Sequence, residues 1–177
     1  MKKVIIKCKI KDKDSFEEKM AEIEMEFSPI YWQHDRVYVP RGYKRGMNLP
    51  RLIMRTEMRA VDMPAEYSLI LKRHIEDSGV DVVEKTTIKD YGEMVNIILQ
   101  MGFKPMTEIS RRRQELIMGE GVEMYVDDVD GKDGCYAKIE TRLEEGESVE
   151  AVREDLKKTF STLGESLFVE TAYFEMN

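Results

Sequence analysis

Apolar residues recur along this chain at two spacings, and the spacing sorts it into helices and strands. Three stretches carry them three or four residues apart. The first places Phe16, Met20, Ile23 and Phe27 on one stripe behind Ser15, whose pairing with Glu18 predicts a capping box. The second starts at Asp90 with Glu93 as its partner, turns Met94, Ile97, Ile98 and Met101 inward, and stops at Gly102. The third starts near Ser148, uses Val149, Val152, Leu156, Phe160 and Leu163, and stops at Gly164. Elsewhere the pattern alternates, which predicts strands at roughly 4–11, 30–39, 51–61, 66–75, 81–89, 106–118, 122–128, 135–142 and 166–175. VDGKDG supplies a turn between two of them. No repeat, low-complexity tract or linker divides the chain, so a single domain over residues 1–177 is expected. Many strands with three helices make it α+β: a mainly antiparallel sheet curled into a β-barrel that helices brace from outside.

The polar sides of these strands are rich in cations. Ile6, Cys8 and Ile10 share one face of the first strand, and Lys7, Lys9 and Lys11 share the other. Arg51, Arg55 and Arg59 lie opposite Leu52, Met54 and Met58; Ser68, Lys72 and His74 lie opposite Tyr67, Leu69 and Leu71. Arg111, Arg113 and Glu115 share a face, as do Glu123, Tyr125 and Asp127. Two arrangements fit. These faces are the solvated outside of a sheet, the common fate of charged strand residues, or they line a barrel lumen. In a lumen the cations would be desolvated and would repel one another unless a polyanion lay between them. Lys offers phosphate a point charge and Arg a bidentate fork.

Composition narrows the classes. The 177 residues are 42% apolar and 36% charged, as in a globular protein with one well-buried core. A net charge of −7 argues against a general nucleic-acid binder, while leaving room for a small anion held by locally clustered cations. No apolar run reaches the roughly 20 residues that span a bilayer, and MKKVIIKCKI lacks the apolar core and cleavage site of a secretory signal. Cys8 and Cys135 stand alone, without a CxxC partner, so a reducing cytoplasm is the expected compartment.

The ordered series VIIKCKIKD, LIMRTE, YSLILK, VVEKTTIKD, ISRRRQEL, MYVDDVDG and YAKIE resembles the CYTH, or triphosphate-tunnel, superfamily, which includes class IV adenylate cyclases and thiamine triphosphatases. The resemblance covers nearly the whole chain and implies a tunnel that takes a nucleotide or other organic triphosphate. By that resemblance Lys7, Arg55, Lys72, Arg111 and Arg113 grip phosphates, and Asp127 and Glu140 hold metal. Glu84 matches a Glu that often precedes the second helix, and Lys7, Glu84 and Asp127 become the candidate catalytic set. The superfamily's opening ExExK motif is degenerate here. With Lys7 as its Lys, Lys3 and Ile5 stand where Glu would; shifting to Lys9 puts Ile5 and Lys7 there, and neither register restores a carboxylate. The later EIE pattern reads Lys138-Ile139-Glu140. The phosphate side of the motif is thus largely kept and the metal side mostly lost.

Three functions follow from this pattern of loss. An active relative would hydrolyse a triphosphate or cyclise ATP with Mg or Mn as its cofactor. A second possibility is a sensor or sequestering protein that holds a nucleotide or polyphosphate with lumen cations alone. The third is an interaction module with a vestigial tunnel; members of the superfamily often form homodimers, although no residue of this sequence carries that property by itself.

Other chemistry finds less support. His34 and His74 have no nucleophile placed beside them by the sequence, and Ser110 and Ser161 lack a GxSxG elbow. Cys8 sits among apolar neighbours as a packed thiol. DVDGKDG lacks the ligand spacing of a calcium loop, and GEGVEM lacks the helix of a P-loop. The basic stretch PRGYKRGMNLP is a strand connector, or a lid in which Arg41, Lys44 and Arg45 would meet an anion.

Overall fold

The computed structural model describes residues 1–44, 47–75, 79–119 and 121–169. Its elements run β1 (Lys2–Ile10), α1 (Lys13–Glu22), β2 (Tyr31–Pro40), β3 (Arg51–Met58), β4 (Glu66–Ile75), β5 (Val80–Ile88), α2 (Tyr91–Gln100), β6 (Phe103–Gly119), β7 (Val122–Val129), β8 (Cys135–Arg142) and α3 (Val149–Thr162). The eight strands close into an antiparallel barrel in the order β1-β5-β4-β3-β2-β6-β7-β8. The α+β barrel expected from the alternation is therefore present, with helices on its outer wall.

Strand alternation decides what faces in. Val4, Ile6, Cys8 and Ile10 of β1 pack in one cluster with Phe16 and Met20 of α1 and with Leu156, Phe160 and Leu163 at α3. An eight-stranded barrel has room inside for side chains but not for helices, so this is the outer face, and Lys3, Ile5, Lys7 and Lys9 point into the lumen. A second outer cluster joins Tyr38, Leu52, Met54 and Ile88 to Ile98 of α2. The main apolar core of this protein thus lies between barrel and helices. Inside the lumen, Val37, Ile53 and Ile70 with Val83, Met106 and Ile109 form a smaller apolar cluster. Met106 is the extra residue of a bulge in which Val37 faces Thr107 but Tyr38 faces Pro105. The bulge accommodates a proline that has no N–H for the ladder.

Several local expectations are corrected. Helix α1 is capped by Asp12, whose side chain accepts the N–H groups of Asp14 and Ser15. Ser15 lies inside the helix, because an Asp three residues earlier reaches the same free N–H groups first. Ile23 is the C-cap residue and is half exposed; Phe27 lies beyond the helix yet still meets Phe16 ring to ring. In α2, Asp90 caps as expected through Glu93 N–H, but only Ile98 is buried, while Ile97 and Met101 are exposed. Helix α3 follows its expected stripe behind Ser148.

Of the expected ninth strand, the described residues 166–169 carry a bridge between Cys8 and Phe168, and residues 170–175 lie outside the described residues. The bridge has a topological cause. β1 pairs with β5 over Lys2–Val4 only, against Lys3–Ile10 with β8, so its second half has an open edge. The chain before residue 170 fills that edge: Lys9 N–H donates to Leu167 O, and Val169 N–H to Lys7 O, both at 2.9 Å.

Candidate functional site: a charged rail inside the barrel

Cross-strand register brings the lumen residues of all eight strands around one space. Their charges are not left facing one another as bare cations. Arg55 donates from Nε and Nη2 to the two oxygens of Asp35 at 2.7 and 2.9 Å. Arg111 also holds Asp35, and its Nε donates to Gln33 at 2.8 Å. Gln33 donates onward to Glu57 at 2.6 Å. Arg113 clasps Asp127 through two hydrogen bonds of 2.6 Å, and Arg111 Nη1 lies 3.9 Å from the same carboxylate. Farther along, Glu140 is gripped by Lys3 and Lys138, each at 2.5 Å, and Lys3 also reaches Glu123 at 3.5 Å. Tyr125 joins the two halves, its ring lying 4.5 Å from the Arg113 guanidinium and 4.2 Å from the Lys138 ammonium. The result is an alternating rail: Arg55, Asp35, Arg111, Asp127 and Arg113, then Lys138, Glu140 and Lys3.

The rail balances the charge of a cation-rich lumen from within. The sequence pattern suggested that these cations would repel one another unless a polyanion lay between them; carboxylates of the chain itself supply the counter-charge. Burial alone would raise the carboxyl pKa of Asp35, but Arg55 and Arg111 outweigh it and hold the group far below the usual range. Asp127 is fully buried, yet Arg113 and then Arg111 bring it down to about 2. Glu140 is likewise depressed, with Lys138 and Lys3 overcoming desolvation. Lys138 moves the other way: burial, reinforced by the nearby Arg113, lowers it to about 8 despite Glu140.

Most residues nominated from the sequence converge here. Arg55, Arg111, Arg113, Asp127 and Glu140 belong to the rail, and Lys7 faces Lys138 across the β1–β8 pair. Lys72 is a lumen residue opposite Arg51 and pairs with Asp81 at 2.8 Å, beside His74. Lys3 and Lys138 do not merely add charge near the site; they hold its carboxylate. Glu84 is not brought to the group. The β4–β5 register sets it opposite Leu71 on the outer wall, where its carboxylate pairs with the N-terminal amine. Asp35 and Gln33 were missed. Their signal is an acid and an amide at the inward parity of a strand otherwise reading Tyr31, Val37 and Val39. In the 40–49 connector, Arg41 N–H donates to Gly102 O, while Arg45 lies outside the described residues.

The CYTH domain profile matches residues 51–173, more than two-thirds of the chain. The chain belongs to the CYTH domain family. No curated protein matches it significantly. Among solved structures, the PH1819 protein of Pyrococcus horikoshii OT3 is similar, with a TM-score of 0.84 at 23% identity over 98% of this chain and 96% of that one. An adenylate cyclase candidate from Vibrio parahaemolyticus gives 0.82 at 20% identity, covering 98% and 95%. An adenylyl cyclase candidate of Hippeastrum, described with a dominant triphosphatase activity, gives 0.63 at 15% identity, covering 98% and 93%. These likenesses establish the shared tunnel fold.

Within this CYTH barrel the rail carboxylates Asp35, Asp127 and Glu140 are already held by side-chain cations. A divalent cation takes several oxygen ligands at once, so metal binding here would compete with those cations. Both oxygens of Asp127 are taken by Arg113, and both oxygens of Glu140 by lysines. Among the described residues no three His, Cys, Asp or Glu side chains are grouped to hold a metal ion. The outer wall holds one arrangement the sequence did not suggest. His34 Nδ1 lies 2.9 Å from Ser110 Oγ, and its Nε2 lies 3.4 Å from Glu108. Ser, His and acid are thus in line, but on the outer face of paired strands, where ladder bonds engage the backbone N–H groups that could serve an oxyanion. No helix of the described residues is long and apolar enough to cross a membrane.

Proposed function

We propose that this protein binds the phosphate chain of a nucleotide or other organic triphosphate inside the barrel, using fixed side-chain cations rather than a divalent metal. The observation that carries this reading is the rail itself. Lys3, Arg55, Arg111, Arg113 and Lys138 converge in the lumen, and Asp35, Asp127 and Glu140 are spent on these same cations. A phosphate chain entering the lumen would take over contacts that Asp35, Asp127 and Glu140 now make, in the bidentate geometry that guanidinium groups offer both anions. The protein then acts as a receptor or sequestering module.

Isothermal titration with ATP and with tripolyphosphate, in Mg²⁺ or in chelator, tests the reading. Binding of equal affinity with and without Mg²⁺, and no product in the cell afterwards, is expected. At 100 times Kd such a ligand should add about 2.7 kcal/mol of stability. Mg²⁺- or Mn²⁺-dependent turnover would replace this reading with a metal-dependent enzyme, a triphosphatase or an ATP cyclase. That second reading draws on family membership and on the Hippeastrum structure's described activity. Failure to bind either ligand would leave an interaction module. The exposed Ile97 and Met101 of α2 favour that outcome, with a homodimer as the form to look for.

A further inference from the structure

One lumen side chain stands outside the charge pairing. Ser68 on β4 is 5% exposed, and among the described residues its Oγ is buried without a hydrogen-bond partner. It shares its strand face with Ile70 of the lumen cluster and lies directly opposite Arg55 on β3. The row continues to Asp35 on one side and to Thr87 of β5 on the other. Directly opposed side chains on one face have Cβ atoms about 4.5–5.5 Å apart. Arg55 spends Nε and Nη2 on Asp35, and among the described residues Nη1 makes no hydrogen bond. A buried hydroxyl without a partner is unfavourable, and most such groups in folded proteins are satisfied. Here the hydroxyl belongs to the direct cross-strand neighbour of an arginine that has a donor to spare. Two adjacent donors, one of them cationic, suit the oxygen of an anion.

We propose that Ser68 and Arg55 form one phosphoryl subsite of the lumen, with Ser68 Oγ–H and Arg55 Nη1–H donating to the oxygens of a single phosphoryl group. This rests on the reading of the lumen as a polyphosphate site, and adds to it a binding residue that carries no charge. Ser68 therefore contributes recognition without making the ligand-free barrel more repulsive.

The test is titration of tripolyphosphate and of ATP into the wild type, Ser68→Ala, Ser68→Thr and Ser110→Ala, the last changing a hydroxyl on the outer wall. Ser68→Ala should weaken both ligands by about tenfold, while its ligand-free Tm stays level or rises because an unsatisfied hydroxyl has gone. Ser68→Thr and Ser110→Ala should bind as the wild type does. An unchanged affinity in Ser68→Ala would overturn the proposal, since water alone would then satisfy the hydroxyl. So would weaker binding accompanied by a lower ligand-free Tm, which would mark Ser68 as structural. Loss confined to ATP would move the contact to the nucleoside part and overturn the phosphoryl assignment. A wild type that binds neither ligand sinks the lumen reading itself, a result distinct from all of these.

Discussion

At the scale of single residues, the lumen shows how a buried charge is tolerated when its partners are fixed around it. Asp127 is completely buried and would be unfavourable there on desolvation alone, yet the Arg113 fork and Arg111 hold it ionised. Its folded pKa of about 2 lies below the ordinary 3.8, so its contribution is present above the unfolded value and is lost as pH falls through the folded one. That depression is worth roughly 2–3 kcal/mol at neutral pH. Asp127→Asn should cost more, about 3–5 kcal/mol at pH 7, because it leaves a buried guanidinium short of its counter-charge. The deficit should shrink between about pH 4 and pH 2, where the wild type loses the same charge. Urea midpoints of both proteins across that range give the comparison; parallel curves would mean that Asp127 is not the stabilising partner of Arg113. Such a role could be read only partly from the sequence. Arg111 and Arg113 declare themselves by spacing, and Asp127 by its place on the next strand. Their saturation with Asp35 and Gln33 could not be read, because it depends on which face of β2 closes the lumen.

At the scale of elements, what was legible is what alternates or caps locally. The eight strands, the inward faces of β1, β3, β4, β6 and β7, and the caps Asp90 and Ser148 all follow from patterns within a few residues. What was not legible depends on partners far along the chain. Among the described residues, the stretch near residue 168 finds its partner in the open edge that the short β1–β5 pairing leaves on β1. Ile97 and Met101 have helical phase but overhang the cluster that Ile98 fills. The α1 cap was misread for a nearer reason: two acceptable capping residues, Asp12 and Ser15, stand three apart. Geometry assigns the role to Asp12, so Asp12→Ala should lower unfolding free energy by about 1 kcal/mol. Ser15→Ala should change it by no more than about 0.5 kcal/mol. Chemical denaturation of the two variants decides between them, and a larger loss in Ser15→Ala would return the cap to the position the sequence first suggested.

At the scale of the whole molecule, the barrel places its apolar core outside and its polar groups inside, so stability and binding draw on different layers. The outer clusters hold α1, α2 and α3 to the wall, and the lumen is free to carry charge. Built-in carboxylates keep that charge balanced, and they also compete with any incoming anion. Glu140 is the clearest case, because two lysines from neighbouring strands are spent on it and on little else. A carboxylate and a phosphate oxygen about 5 Å apart repel by roughly 3–4 kcal/mol at an effective dielectric constant of 20. Replacing Glu140 with Gln should therefore act in opposite directions on the two properties. The ligand-free protein should melt lower, because Lys3 and Lys138 then face each other with only a neutral amide between them. Measured well below pH 8, so that Lys138 keeps its proton without Glu140, tripolyphosphate should bind tenfold or more tightly, because the competitor has gone and both ammonium groups are available. Paired measurement of ligand-free Tm and Kd in Glu140→Gln reads both effects at once. Weaker binding in that variant would mean that Glu140 assists the ligand instead of opposing it, either by keeping the buried Lys138 protonated or by exchanging its lysines for a bound metal ion. A loss seen only with Mg²⁺ present would single out the second route and turn the balanced rail from a receptor's resting state into the closed form of an enzyme.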